Sequence, residues 1–307
     1  MGVIGVGALG QHHARVYAQL EDVSLVGVHD QSAERAEEVA GRHGTRAFPD
    51  LGRLLDEVDA VSVAVPTVDH HRTSLAALRA GKDVLVEKPM AATLAEADDL
   101  IRVASERRAL LQVGHIERFN PAVAVLGGQV TRPRFIEAHR LSPFSPRSLD
   151  VDVVLDLMIH DLDIVLWLDG SLPVQVDAVG VPVLTPRADI ANARLRFASG
   201  LIANLTASRV SAEKVRKFRV FAPRTYVSLD LAARSAAVHR LVEGQGKPEI
   251  AVERLTAPDV EPLARQLSAF VSCVRSRSVP QVTGLDGRRA LALAHTILAR
   301  MAEHQPT

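Results

Sequence analysis

Cysteine is almost missing from this chain: Cys273 is the only one in 307 residues. An intrachain disulfide is therefore impossible, and a structural zinc site built on several thiolates is excluded. Cys273 lies in the apolar run Phe270-Val271-Ser272-Cys273-Val274, where a thiol behaves as a small hydrophobe, so a core position is expected rather than a nucleophile. Net charge is missing as well. Basic and acidic residues number 36 each, which leaves no overall field to draw the chain to nucleic acid or anionic lipid. No uncharged apolar stretch reaches the ~18 residues that a membrane-crossing helix requires. The N-terminus shows neither a basic region nor a small-residue cleavage site, so no signal peptide is expected and the predicted compartment is the cytoplasm. Internal repeats and low-complexity segments are lacking too.

What is present suits a globular protein with a sizeable core: 47% hydrophobic and 23% charged residues. The length exceeds the usual reach of one core, so two domains are expected. Through the first 115 residues short apolar runs recur at Val3–Val6, Leu25–Val28, Ala60–Val65, Val84–Val86 and Leu110–Val113. Their length and β-branched content predict strands buried on both faces. Helical patterns separate them at Gln11–Leu20, Ala33–His43, His70–Ala80 and Leu94–Arg107, with Gly41 or Gly44 and Gly81 at C-cap positions. This alternation predicts a doubly wound parallel sheet, an α/β fold.

The first strand runs into Gly5-Val6-Gly7-Ala8-Leu9-Gly10. Gly5 permits a tight turn, Gly7 lets the backbone approach a pyrophosphate, and Gly10 allows a helix to pack closely on its strand; the helix N-terminus then faces the phosphates. Asp30, twenty positions after Gly10 at the end of the second strand, is placed to accept from a ribose 2′-OH and to repel a 2′-phosphate. NAD is therefore the predicted cofactor rather than NADP. Arg35 is read as a solvated helix residue. His12 and His13 at the start of the first helix are read as packing or surface side chains. Pro66, Thr67 and His70 follow the strand ending at Val65, where carboxyl ends of parallel strands line a ligand crevice. Two readings of His70 stand: a neighbour of the nicotinamide ribose, or a helix-start residue with no ligand.

Glu87-Lys88-Pro89 closes the next strand and puts a charge pair at the carboxyl edge of the sheet, by the cofactor. Pro89 holds Lys88 extended and so directs its ammonium, which can stabilise a developing alkoxide. Further on, Asp152, Asp156, His160 and Asp163 share one face of a predicted helix, with Leu155, Ile159 and Leu162 on another. Asp156 one turn before His160 can orient an imidazole as the base that alcohol oxidation by NAD needs. A solvated polar face, or a metal site on this acidic helix, are the alternatives.

These segments together resemble the Gfo/Idh/MocA oxidoreductases over essentially the whole chain. The residues that carry the likeness are Gly5–Gly10, Pro66–His70, Ala80-Gly81-Lys82 leading to Glu87-Lys88-Pro89, and Asp156–His160. The resemblance implies that Lys88, Asp156 and His160 are the catalytic groups. A narrower likeness, to the branch acting on the 3-hydroxyl of UDP-N-acetylglucosamine, is carried by Gln112-Val113-Gly114-His115-Ile116-Glu117-Arg118-Phe119-Asn120-Pro121 and by Pro143-Phe144-Ser145-Pro146-Arg147-Ser148 leading into Leu155-Asp156-Leu157-Met158-Ile159-His160-Asp161. It implies a 3-keto nucleotide sugar passed to an aminotransferase toward amino-sugar lipid A. Glu117, Arg118 and Asn120 are then candidate contacts for sugar or amide groups, and Arg147 for the diphosphate; an ion pair of Glu117 with Arg118 between the domains is the competing reading. The rivals are a dehydrogenase of another nucleotide sugar, free sugar or cyclic polyol, and a non-catalytic NAD-sensing protein.

The fold expected is thus a Rossmann domain over residues 1–118 and a substrate-binding α+β domain over 119–307. Strands at Val174–Val183, Ile190–Phe197, Leu201–Ser208, Arg216–Ala222 and Thr225–Leu229 predict an open, mainly antiparallel sheet in the second domain, followed by helices near Pro262–Arg275 and Gly287–Glu303. By resemblance, its outer face joins copies into a homo-oligomer.

Overall fold

The computed structural model describes residues 1–145, 151–243, 247–256 and 260–303. They form two compact units: residues 1–116 with 261–288, and the described residues of 117–260 with 289–303.

In the first unit strands and helices alternate as β1 (Gly2–Ile4), α1 (Gly10–Gln19), β2 (Gly27–His29), α2 (Ala33–His43), β3 (Arg46–Ala47), α3 (Leu51–Glu57), β4 (Ala60–Val63), α4 (Thr67–Arg79), β5 (Asp83–Glu87), α5 (Leu94–Arg107) and β6 (Leu111–Gly114). All six strands are parallel, in the order β3-β2-β1-β4-β5-β6. Every residue of β4, β5 and β6 is buried, as short apolar strands covered on both faces must be. Local chemistry sets the helix ends. Ser32 accepts the Arg35 N–H and Gly44, at φ 63°, closes α2; Thr93 and Glu96 form a reciprocal capping box on α5. The order reverses between β1 and β4, the switch point at which doubly wound sheets bind ligands.

β3 and α3 escape the sequence reading, being two and seven residues long. A larger difference concerns connectivity. The expected second domain ran unbroken from 119 to 307, whereas residues 261–288 belong with the first unit. The cause is apolar: helix Pro262–Ser276 buries Leu263, Leu267, Phe270 and Val271 in one cluster with Val16 and Tyr17 of α1. Cys273 is buried on the same helix.

The second unit is built on an eight-stranded sheet of β7 (Phe135–Leu141), β8 (Gln175–Val181), β9 (Ile190–Arg196), β10 (Ile202–Ser208), β11 (Val215–Ala222), β12 (Thr225–Asp230), β13 (Ser235–Glu243) and β14 (Pro248–Thr256). Their order is β14-β13-β12-β11-β7-β10-β9-β8, antiparallel except where β7 meets β10. Residues alternate along each strand, as in β9, where Ala191, Ala193 and Leu195 are buried and the residues between them exposed. The buried face shares a core with Ile159, Leu162 and Val165 of helix Ile159–Asp169 and with Ala290, Leu293 and Ile297 of helix Gly284–Glu303. On the other face the rings of Phe135, Phe221, Tyr226 and His239 follow one another across four strands, at centroid spacings of 5.7, 4.7 and 5.1 Å. The turn Phe197–Leu201 is closed by Gly200 at φ 86°.

Candidate active site

The glycine loop is built for a ligand that needs bare backbone. Gly5 takes φ 80°, and a Cβ there would lie 2.8 Å from the Ala64 carbonyl oxygen and the Val65 nitrogen. A Cβ on Gly10 would fall on the Gly5 carbonyl oxygen. Gly7 is half-buried, and Ala8 and Leu9 form the exposed crest of the loop. No acidic residue stands in the first turn of α1 to meet its free N–H groups, so that end favours an anion. Beside it a pocket of about 350 Å³ is lined by Val6, Gly7, Ala8, Gln11, Arg35 and Arg42, among others.

Asp30 ties this loop to β2. Its Oδ2 accepts the Val6 N–H at 2.8 Å and its Oδ1 accepts the Ser32 N–H at 2.9 Å, which leaves lone pairs for ribose hydroxyls. Arg35 Nη1 lies 3.8 Å from Asp30 Oδ1 with its side chain 53% exposed. A glycine loop with no room for a Cβ at Gly5 or Gly10, space over Gly7, and a fixed acidic residue at the end of β2 fit an NAD dinucleotide.

Lys88, half-buried, follows the last residue of β5, and the peptide to Pro89 is cis. Each flanking residue is held by a histidine. His13 Nε2 approaches Glu87 Oε1 at 3.2 Å. His70 is buried, with Nδ1 2.7 Å from the Pro89 carbonyl oxygen and Nε2 2.9 Å from that of Val65. Burial pulls the His70 imidazole below its ordinary value, against the two carbonyls and the Glu87 charge. Burial also opposes ionisation of Glu87, but the His13 hydrogen bond and the charges of His13, Lys88 and His70 prevail and hold this carboxyl below its ordinary range. Both ring nitrogens of His70 face backbone carbonyls, so the side chain ties α4 to the Glu87-Lys88-Pro89 segment. Pro66 and Thr67 start α4 at the carboxyl end of β4.

In the second unit the helix bearing Asp156 and His160 is not uniform. Val154–Met158 forms a π-helical turn that runs into the α-helix Ile159–Asp169, a feature often found at functional sites. The predicted polar face divides. Asp156 and His160 are half-buried. Asp163 is instead turned inward, 2% exposed, with Arg118 Nη1 3.5 Å from its Oδ1. Asp152 acts as a tie, accepting from Ala188 N–H at 3.2 Å and from Arg187 Nη1 at 3.3 Å. Among the described residues no group of three or more His, Cys, Asp or Glu side chains is placed to hold a metal ion.

Glu117, Arg118 and Asn120 are all buried and already engaged within this unit. Arg140 Nη1 donates to Glu117 Oε1 at 2.8 Å, and Asn120 Nδ2 donates to Glu117 Oε2 at 2.9 Å. The guanidinium of Arg118 lies 4.6 Å from the centre of the Trp167 ring. The ion pair expected between Glu117 and Arg118 is replaced by Glu117–Arg140 and Arg118–Asp163, because both side chains find better-placed opposite charges on β7 and on the helix. Arg140 also clasps Asp161, donating from Nε at 3.0 Å and from Nη2 at 2.8 Å. Burial disfavours the Arg140 charge, yet the carboxylates of Asp161 and Glu117 hold its pKa above the ordinary value. Burial opposes the charge of Glu117 too, but Arg140 outweighs it and keeps that carboxyl low. For the more deeply buried Asp161, burial wins and the pKa is raised. Arg147 lies outside the described residues. Arg140 itself was missed by sequence reasoning, and nothing near it in the chain marks its role.

Residues 1–115 match the oxidoreductase family with an NAD-binding Rossmann fold, and residues 124–227 match the GFO/IDH/MocA C-terminal domain. The chain belongs to the Gfo/Idh/MocA family of NAD-binding oxidoreductases. A UDP-N-acetylglucosamine 3-dehydrogenase from Acidithiobacillus ferrooxidans is 43% identical over 296 residues, covering 95% of this chain and 94% of that protein. A solved structure of that enzyme superposes with a TM-score of 0.93 at 42% identity, over 98% of this chain and 97% of the other. The myo-inositol 2-dehydrogenase of Thermotoga maritima is 27% identical over 99% of this chain and 96% of its own length.

Proposed function

We propose that this chain oxidises the 3-hydroxyl of UDP-N-acetylglucosamine with NAD, giving the 3-keto nucleotide sugar. The observation that carries the reading is the likeness to the Acidithiobacillus enzyme, at 43% identity over nearly the full length of both proteins; the cyclic-polyol alternative rests on a 27% match over the full length and on 34% matches over little more than half of the chain.

Gly5, Gly7, Ala8, Leu9 and Gly10 hold the pyrophosphate, and Asp30 the ribose of the adenosine half. Pro66, Thr67 and Glu87 shape the wall beside it. NAD, when bound, supplies the acceptor for the hydride that leaves the alcohol carbon. The proton is the task of the chain's own side chains. His160, oriented by Asp156, accepts it from the hydroxyl, while the Lys88 ammonium donates a hydrogen bond to the same oxygen and stabilises its growing charge. Glu117, Arg118 and Asn120 act as the wall that fixes the helix of His160, and Arg147 remains a candidate diphosphate contact. The ketone formed is an electrophile suited to an aminotransferase, as amino-sugar lipid A synthesis requires, and a cytoplasmic enzyme would meet both NAD and nucleotide sugars. The half-buried aromatic row from Phe135 to His239, on the sheet face away from the core, is the surface through which a homo-oligomer would form. The test of function is NADH formation with UDP-N-acetylglucosamine set against free N-acetylglucosamine and myo-inositol; faster turnover of either neutral compound would displace this reading.

A further inference from the structure

Strands β7 and β11 run antiparallel with Arg140 directly opposite Arg216. Like charges at such a position repel and cost stability, so each requires an opposite charge. Arg140 has two, Asp161 and Glu117, and takes three carboxylate oxygens between them. The remaining Glu117 oxygen accepts from Asn120. Arg216 is treated differently. Its nearest carboxylate oxygen is Glu117 Oε1 at 3.9 Å, beyond hydrogen-bond reach and already engaged by Arg140, and its side chain is 38% exposed. The other basic residues of β11 are matched: Lys217 donates to Asp230 at 2.7 Å and Arg219 to Glu137 at 2.8 Å. Among the described residues, Arg216 is thus the cation of this strand that no carboxylate within hydrogen-bond distance satisfies.

Its surroundings make the imbalance costly. Partial burial, and then the neighbouring Arg140, push its pKa down, and the charges of Glu117 and Asp161 offset only part of this, so an added anion in hydrogen-bond contact would favour the guanidinium charge. The place is also significant. Asp161, held by the fork of Arg140, follows His160 in the chain, so Arg216 stands beside the clasp that ties β7 to the helix of the proposed base.

We propose that Arg216 is an anion-binding residue that receives the diphosphate of the nucleotide-sugar substrate. The inference rests on the proposed function and extends it to the group that selects the substrate class. A planar guanidinium presents paired donors that match two phosphate oxygens, and a diphosphate supplies acceptors within hydrogen-bond reach, which Glu117 at 3.9 Å does not. Neutral sugars and cyclic polyols carry nothing to fill this place, so Arg216 would favour phosphorylated sugars over them.

The test is calorimetric titration of the NAD-loaded protein with UDP. Arg216→Ala and Arg216→Gln should each weaken UDP binding about tenfold or more. Arg216→Lys should recover part of the loss, and NAD affinity should stay unchanged in all three. Raising the salt concentration should weaken UDP binding more steeply in the wild type than in Arg216→Ala. Unaltered melting temperatures would show that the variants fold. Wild-type protein that binds UDP, with Arg216→Ala and Arg216→Gln binding within twofold of it, overturns the inference alone. Wild-type protein that binds neither UDP nor UDP-N-acetylglucosamine overturns the inference together with the function on which it rests.

Discussion

His13 Nε2 lies 3.2 Å from Glu87 Oε1, with the two side chains only 2% and 10% exposed. The contact joins α1, which starts at the glycine loop, to the residue immediately before Lys88. Gly114 on the adjacent strand leaves room for it, since a Cβ there would come within 2.6 Å of Glu87 Oε1. One buried histidine–carboxylate contact therefore connects the dinucleotide cradle to the proposed catalytic lysine.

Acid should weaken the fold through Glu87. Its pKa is depressed in the folded protein, so its contribution is complete above its ordinary 4.5 and is lost as pH falls through the lower folded value. Thermal melts between pH 7 and about 3 should show wild-type stability dropping across that window, and Glu87→Gln should flatten the slope. Parallel slopes for the two proteins would remove this residue from the account.

Arg140 neutralises two buried carboxylates. Arg140→Ala should cost about 3–5 kcal/mol, because it strands Glu117 and Asp161 without their partner. Chemical denaturation measures this directly, and a loss under about 1 kcal/mol would mean that the cluster relaxes or takes up water.

Asp30 is assigned both a loop tie and a ribose contact. Asp30→Ala should weaken NAD binding about tenfold and reduce discrimination against NADP, as removing a charged acceptor does. Gly10→Ala should abolish NAD binding, since its Cβ would occupy the place of the Gly5 carbonyl oxygen. Unchanged cofactor preference in Asp30→Ala would refute its role.

Lys88→Ala and His160→Ala should each lower kcat about a hundredfold or more with little change in NAD binding. The variant lacking the true base should lose the acidic limb of the pH–rate profile, which decides whether His160 or Lys88 accepts the proton. Near-wild-type rates in both variants would sink the mechanism.

How much of this was legible in the sequence depends on distance along the chain. The glycine loop, Asp30 and Glu87-Lys88-Pro89 are local patterns, and strand alternation with apolar periodicity placed them in an α/β fold. Arg140 and Arg216 were not legible: a basic residue in a strand looks like a solvent-facing one until the fold shows the carboxylates beside it. Glu117 is 23 residues from Arg140, and His13 is 74 from Glu87. The π-helical turn at Val154–Met158 was hidden for another reason. Regular helical spacing put Asp163 on the face of Asp156 and His160, whereas in the structure Asp163 is buried beside Arg118. The return of helix Pro262–Ser276 to the first unit was likewise invisible, because an amphipathic pattern does not name the surface it will cover.

The central claim is that this oxidoreductase acts on a nucleotide sugar at its 3-hydroxyl. The most direct measurement is mass spectrometry of the product after incubation with NAD and UDP-N-acetylglucosamine deuterated at C3 of the sugar. The account predicts transfer of that deuterium to the nicotinamide and a UDP-linked product that has lost it. A product that retains deuterium at C3, or no product while a neutral sugar or polyol is oxidised, would contradict it.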